Sequence, residues 1–262
     1  MTNRHGAPIW YELLTNDAAA SKAFYDDVIG WSIAPHSSAP GMDYRMIAAG
    51  DSGFVGGMMP LTEEMRRNGA KPTWLFYIGV DDVDATARSI EEKGGAIHLP
   101  PFDIPEAGRA ALVADPQGNP FYIMRGASEE PSTAWDRMGM GRCNWNELAT
   151  SDQAAGNAFY ADVFGWTYPH QMDMPDDMGA YMFIDAGGET IGATMQAGVQ
   201  GQPRGWQFYF RAPDIEAAAA KVRANGGAVH AGPMEVPGGD WIIVANDPQG
   251  VNFGVVGARQ AQ

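Results

Sequence analysis

The chain has 262 residues, with 17 Lys+Arg against 32 Asp+Glu, a formal charge of −15 and 45% hydrophobic residues. That balance excludes disorder, and it argues against nucleic acid and anionic membranes as partners, whose phosphates a strongly acidic protein repels. The single cysteine, Cys143, excludes an internal disulfide and a cysteine-built zinc site, and the length allows one large domain or two small ones.

In chain order, PIWYELLT (8–15) alternates like a strand, and NDAAASKAFYDDVIG (16–30) reads as a helix opened by an Asn/Asp cap and closed by Gly30. Short strands follow at about 31–35, 43–49 and 53–60. TWLFYIGV then restarts the pattern as a strand, and DDVDATARSIEEKG as a helix capped by Asp81 or Asp82 and closed by Gly94. Strands at about 96–99, 109–114 and 119–125 complete a second βαβββ module. A stretch rich in Gly, Ser, Pro and charge, without apolar period, fills 126–141.

The order then begins again. WYELLTND from Trp10 recurs as WNELATSD from Trp145, an offset of 135, and Phe24-Tyr25 and Gly30-Trp31 recur as Phe159-Tyr160 and Gly165-Trp166. WLFYIGVDDVDA from Trp74 recurs as WQFYFRAPDIEA from Trp206, an offset of 132, as do GGAIH/GGAVH and the two DPQG tetrapeptides at Asp115 and Asp247. These matched blocks, kept in order, mark a duplication. The expected organisation is two tandem α+β domains, 7–125 and 142–257, joined by a linker at 126–141, each long enough for its own core. One helix followed by a meander excludes a doubly wound parallel sheet, and no phosphate-binding glycine loop follows a strand.

Paired βαβββ modules, the F-Y-x-x-V-x-G-W run from Phe24, V-D-D-V-D from Val80 and D-P-x-G from Asp115 together resemble the vicinal oxygen chelate superfamily. That superfamily includes glyoxalase I, extradiol dioxygenases, fosfomycin-resistance proteins and bleomycin-binding proteins. The resemblance covers nearly the whole chain and looks closest to tandem glyoxalase/bleomycin-resistance-like members. It implies curved mixed sheets, each forming a cleft. In catalytic members it also implies a divalent ion held by His or Gln on the first strand, His on the fifth and Glu on the last. Counted from the motifs, these positions fall on Trp10, Leu75 and Tyr122 in the first domain, and on Trp145, Gln207 and Gly254 in the second. Only Gln207 offers a usual ligand, so no metal cofactor is expected.

Strand alternation puts Trp10, Glu12 and Leu14 on the face of those positions, with Leu75, Tyr77, Tyr122 and Met124 beside them. The second cleft receives Trp145, Glu147, Gln207, Tyr209, Arg211, Asn252 and Gly254, with a Glu147–Arg211 pair expected. Glu12 and Glu147 are candidate acid/base carboxylates, because an apolar surrounding raises a carboxyl pKa. The competing reading makes each a structural carboxylate held by an indole, an amide or an arginine. The tryptophans are candidate stacking platforms, or plain core. The methionines of QMDMPDDMGA (171–180) suit a cover over an apolar ligand, or a surface loop.

The expected function is binding of a small apolar or aromatic molecule without the family's metal. The alternatives are a metal-independent lyase or isomerase using Glu12 or Glu147, and a glyoxalase-like metal-dependent lyase. MTNRHGAPIWYELLTND holds no apolar run of signal-peptide length, so a cytoplasmic monomer or homodimer is expected, without nucleic acid or membrane.

Overall fold

The computed structural model describes residues 3–39, 41–174, 179–198 and 204–260. Their strands form two eight-stranded sheets, and the helices are few and short, as the α+β reading requires. The first repeat runs β1 (Pro8–Thr15), α1 (Ala18–Ile29), β2 (Ser32–Ile33), β3 (Arg45–Ala48), β4 (Phe54–Pro60), α2 (Glu63–Arg67), β5 (Thr73–Gly79), α3 (Val83–Glu92), β6 (Ala96–Ile104), β7 (Gly108–Ala114) and β8 (Pro120–Gly126). The second runs β9 (Cys143–Thr150), α4 (Gln153–Phe164), β10 (Gln171–Asp173), β11 (Ala180–Asp185), β12 (Thr190–Gln196), β13 (Gly205–Arg211), α5 (Ile215–Ala224), β14 (Ala228–Glu235), β15 (Trp241–Asn246) and β16 (Asn252–Gly257).

Each module closes on a parallel pair: β1 with β4, β5 with β8, β9 with β12 and β13 with β16. The remaining pairs within modules are antiparallel. Helix limits follow the caps that the sequence carries. Asp17 accepts from the amides of Ala19 and Ala20, Gly30 ends α1 at φ 84°, and Asp82 caps α3 through Ala85.

Two elements differ from expectation. The segment after β4 forms the short helix α2, whose N-terminus Thr62 caps by accepting from the Met65 amide. β6 runs to Ile104 rather than ending near residue 99, because Pro100 and Pro101 lie in an edge strand whose register to β7 shifts on both sides of Leu99. An edge strand with bulges tolerates residues that cannot donate to a ladder.

The chain condenses into two compact units that each take one module from each repeat. One comprises Met1–Ile9, Leu75–Ser132 and Trp145–Gln207; the other comprises Trp10–Trp74, Thr133–Asn144 and Phe208–Gln262. The cores are therefore composite, where the length of each repeat had suggested a core of its own. In the second unit Tyr11 meets Phe208 at 5.3 Å, Trp31 meets Phe210 at 4.8 Å and Phe24 meets Phe253 at 5.8 Å. In the first unit Phe76 meets Trp206 at 4.7 Å, and Tyr160 stacks on Trp166 at 5.0 Å. A sheet face covered by one helix leaves apolar area beside it, and a second module supplies the remaining cover.

Each core holds a hydrogen-bonded chain at its centre. In the second unit Trp74 Nε1 donates to Tyr25 Oη (3.1 Å), which donates to Asp247 Oδ2 (3.2 Å). In the first, Trp206 Nε1 donates to Tyr160 Oη (3.1 Å), which donates to Asp115 Oδ2 (3.0 Å). Phe24, Tyr25, Phe159 and Tyr160 are buried, as their helical positions predict. Cys143 is fully buried, in keeping with an inert thiol.

The duplication is imperfect at one instructive place. In the second unit Gln249 Oε1 accepts from Thr15 Oγ1 (2.9 Å) and the Asn16 amide (2.7 Å), while its Nε2 donates to Ser21 Oγ (2.7 Å). In the first unit the residue matching Ser21 is Gly156, and both Gln117 Oε1 and Thr150 Oγ1 are buried without a hydrogen-bond partner. A Cβ at Gly156 would sit 3.4 Å from Gln117 Oε1 and 3.5 Å from Thr150 Cγ2, so a side chain fits. Gly156→Ser is expected to stabilise by about 1–2 kcal/mol, from better helix propensity and a restored hydrogen bond. Urea unfolding checks this; unchanged stability would mean that the two groups are already satisfied.

Candidate functional site

The face predicted to carry the site is defined by strand parity; in β9 Trp145 and Glu147 are half-buried between buried neighbours, whereas in β1 Glu12 and Leu14 are buried like the core-facing residues. Tyr11 and Leu13 are fully buried on the face of β1 that packs in the core, opposite Trp10 and Glu12. In β9 the matching inner positions are Trp145, Glu147 and Ala149.

In the first unit, Trp145 and Glu147 are joined by a residue that the sequence reading passed over. Trp145 Nε1 donates to Tyr181 Oη (2.7 Å), and Tyr181 Oη donates to Glu147 Oε2 (2.6 Å). Tyr181 stands on β11 and reaches β9 across β12, where Ala193 lies in register with Glu147. Ala193 and Tyr181 belong to the same buried cluster. Around this chain lie Ala149, Met195 and Ala197, with Trp145, Met172, Met174 and Phe183 packed against them. The Trp145 and Phe183 rings meet edge to face at 5.9 Å and 77°. Residues 175–178 of the methionine loop lie outside the described residues; Met172 and Met174 belong to this apolar cluster.

The first repeat carries the counterpart in the second unit. Trp10 Nε1 donates to Tyr44 Oη at 2.8 Å, and Tyr44 corresponds to Tyr181. Here the crossing strand has Gly57 in register with Glu12, and the Tyr44 ring rests on it: a Cβ at Gly57 would lie 2.2 Å from Tyr44 Cζ. Glu12 is 2% exposed, whereas Glu147 is half-buried. The signal that could have found both tyrosines is a shared Tyr-x-x-Ile, at Tyr44 in DYRMI and at Tyr181 in AYMFI.

The other predicted residues are buried in their modules. Tyr77 and Tyr122 are register partners, stacked at 4.3 Å with 10° between planes, and Leu75 is 4% exposed on the same strand as Tyr77. Tyr209 lies flat against Gly254, where a Cβ would come within 2.1 Å of Tyr209 Cδ1. Gln207 is 9% exposed on β13.

Arg211 departs from expectation. Its Nη1 and Nη2 grip Asp240 (3.0 and 2.5 Å), and its Nε donates to Asn144 Oδ1 (2.9 Å). The expected Glu147–Arg211 pair is replaced by these contacts and by Tyr181 on Glu147. A buried guanidinium needs a carboxylate in a fixed fork, and Asp240 on the β14–β15 turn supplies one.

The family profile that matches residues 8–123 and again 141–255 is that of the Glyoxalase/Bleomycin resistance protein/Dioxygenase superfamily. The chain belongs to this superfamily. It is 33% identical over 253 residues to the protein named "Putative glyoxylase CFP32" of Mycobacterium tuberculosis, covering 97% of this chain and 95% of that one. It is 29% identical over 270 residues to "Anthracycline biosynthesis protein DnrV" of Streptomyces peucetius, covering 97% and 94%. Among solved structures, the 2,3-dioxygenase LapB from Pseudomonas sp. KL28 superposes with a TM-score of 0.67 at 13% identity, covering 99% of this chain and 94% of that one. The Mn(II)-bound glyoxalase from Novosphingobium aromaticivorans superposes with a TM-score of 0.64 at 17% identity, covering 98% and 83%. At such identities these structures speak to the fold alone.

The superfamily's divalent ion can be tested against the residues present. Trp10, Trp145, Leu75 and Gly254 offer no side-chain donor to a cation, Tyr122 is stacked on Tyr77, and Gln207 is one neutral amide. Among the described residues no group of three or more His, Cys, Asp and Glu is placed to hold an ion. The residues at the expected positions do not fit that ion. Among the described residues, no helix is long and apolar enough to cross a membrane.

Proposed function

We propose that the protein binds a small planar aromatic molecule on the inner sheet faces, independently of the superfamily's metal. The observation that carries this reading is the Trp145–Tyr181–Glu147 chain set in a cluster of methionine, phenylalanine and alanine side chains. A small-molecule site needs apolar walls and a few placed polar groups, and this face offers both. Thioethers adapt to flat ligands of varied outline, and an indole supplies a stacking plane. The relative named for anthracycline biosynthesis supports a polycyclic aromatic ligand. Titration with a three-ring quinone is expected to give a Kd on the order of micromolar, unchanged by excess chelator. Binding that vanishes on chelation and returns with a divalent ion would contradict the reading.

A second reading is favoured by one distance. Tyr181 donates to Glu147 at 2.6 Å while Trp145 donates to Tyr181, a chain that would suit a carboxylate base and a phenol acid acting together in a metal-independent lyase or isomerase. In that case Glu147→Gln removes turnover and keeps ligand binding.

A further inference from the structure

The residues on either side of Tyr181 are both held by polar side chains of α4. Gln153, the first residue of that helix, donates through Nε2 to the carbonyl oxygens of Ala180 (2.9 Å) and Thr194 (2.8 Å). Its backbone amide donates to Gln196 Oε1 (3.1 Å), which fixes the start of the helix to the end of β12. One helical turn on, Asn157 Oδ1 accepts from Thr194 Oγ1 (2.8 Å), and its Nδ2 donates to Met182 Sδ (3.2 Å). Ala180 precedes Tyr181 on β11 and Met182 follows it. Met182 and Thr194 are register partners, so by strand parity they lie on the face opposite Tyr181 and Met195. The helix thus grips β11 from one side, while Tyr181 meets Trp145 and Glu147 on the other.

Two observations mark this as a directed contact. A donor alone fits against two carbonyl oxygens, so the Gln153 amide has one orientation there. The first repeat also holds different residues at the matching positions: Ala18 for Gln153, Lys22 for Asn157 and, by register, Met58 for Thr194. Ala18 carries only a methyl group, and the Lys22 ammonium pairs with Asp26. In that repeat β3 begins at Arg45, one residue after Tyr44, whereas Tyr181 lies inside β11 and pairs with Met172 on β10. The hydroxyl sits at the far end of the ring, so a shift of about 1 Å in the strand carries its bonds beyond hydrogen-bond range.

We propose that Gln153 is a positioning residue for the site of the second repeat. It holds β11 so that Tyr181 Oη stays between Trp145 Nε1 and Glu147 Oε2, with Asn157 as the second point of attachment, and ligand binding depends on that placement. This rests on the binding reading above for the ligand, whereas the placement of Tyr181 can be measured without one.

The full chain is tested with two readouts. The first is hydrogen exchange of the Trp145 indole N–H, assigned by difference against Trp145→Phe. Trp10 and Trp166, whose indoles donate to Tyr44 Oη and to the Gly6 carbonyl, serve as references. Gln153→Ala is expected to speed exchange at Trp145 by about tenfold and to leave both references within about twofold. The second is calorimetric titration with 2-(hydroxymethyl)anthraquinone, whose Kd should rise by about tenfold in the same variant. Gln153→Glu keeps the shape without the donor and should match Gln153→Ala; wild-type behaviour from it overturns the donor assignment. Asn157→Ala should give the same pattern at about threefold, and it decides if Gln153→Ala does not fold. Faster exchange at all three indoles alike signals general destabilisation and overturns the positioning role, as does unchanged exchange at Trp145. Faster exchange at Trp145 with unchanged affinity overturns the dependence of binding on this placement. A wild type that does not bind the quinone overturns the binding reading, and the exchange readout then decides the positioning role by itself.

Discussion

Gly192→Ala is expected to destabilise the protein by about 3 kcal/mol and to weaken ligand binding with it. A Cβ on Gly192 would lie 1.8 Å from the carbonyl oxygen of Asn146, its register partner on β9. The obstacle is main chain, which cannot swing aside as a side chain can, so β9 and β12 must separate. The next register pair is Ala193 with Glu147, so that separation moves Glu147 relative to Tyr181. Gly56 repeats the arrangement, 1.7 Å from the Tyr11 carbonyl oxygen. Gly57→Ala is the control of lesser cost: its Cβ meets the Tyr44 ring, and the second repeat already holds alanine at the matching Ala193. Urea unfolding of Gly192→Ala, Gly56→Ala and Gly57→Ala gives the order, with the first two the more costly. A Gly192→Ala chain within about 1 kcal/mol of wild type would contradict the geometry.

The second large effect separates two tyrosines that the repeat makes equivalent. Tyr25→Phe should cost about 3 kcal/mol, and Tyr160→Phe about half of that. In each core the hydroxyl accepts from a tryptophan and donates to an aspartate. Asp115 Oδ2 also accepts from Asn119 Nδ2 (2.7 Å), so it keeps a partner when Tyr160 loses its oxygen. The residue matching Asn119 is Val251, which supplies only its backbone amide to Asp247 Oδ1. Tyr25→Phe therefore strands both the Trp74 N–H and Asp247 Oδ2.

The cost also depends on pH. Burial raises the pKa of the Asp247 carboxyl, and the hydrogen bonds from Val251, Gln249 and Tyr25 pull it down. A carboxyl raised in the native state favours that state fully below its unfolded pKa. The contribution is lost as pH rises through the native value. Removing the Tyr25 hydrogen bond raises the native value further. The Tyr25→Phe penalty should thus be larger near neutral pH than near pH 4, just above the ordinary carboxyl value of 3.8. Equal penalties for the two tyrosine variants, or a Tyr25→Phe penalty that grows on acidification, would contradict the account.

How much of this could be read from residues alone depends on the range of the interaction. The duplication, the caps at Asp17 and Asp82 and the stop at Gly30 are local patterns, and the structure follows them. The inner-face assignment of Trp10, Glu12, Trp145 and Glu147 needed only the two-residue period of a strand. The partners were another matter. Tyr44 and Tyr181 reach their tryptophan and glutamate strands across an intervening strand, with the Tyr44 ring lying on Gly57, and no sequence spacing encodes that crossing. Arg211 sits on the predicted strand with the predicted parity, yet its head goes to Asp240 in a turn 29 residues later. The pairing of modules from opposite repeats within each compact unit was likewise invisible, because a repeat states which segments are alike and not which ones pack together.

We propose that this superfamily member binds its aromatic ligand without the superfamily's metal. Native mass spectrometry of untagged protein, before and after chelation and in the presence of a planar aromatic ligand, tests it most directly. The expected spectrum shows the chain with bound ligand, no stoichiometric divalent ion, and the same ligand occupancy after chelation. A stoichiometric ion that chelator removes, with ligand occupancy lost alongside it, would contradict the account.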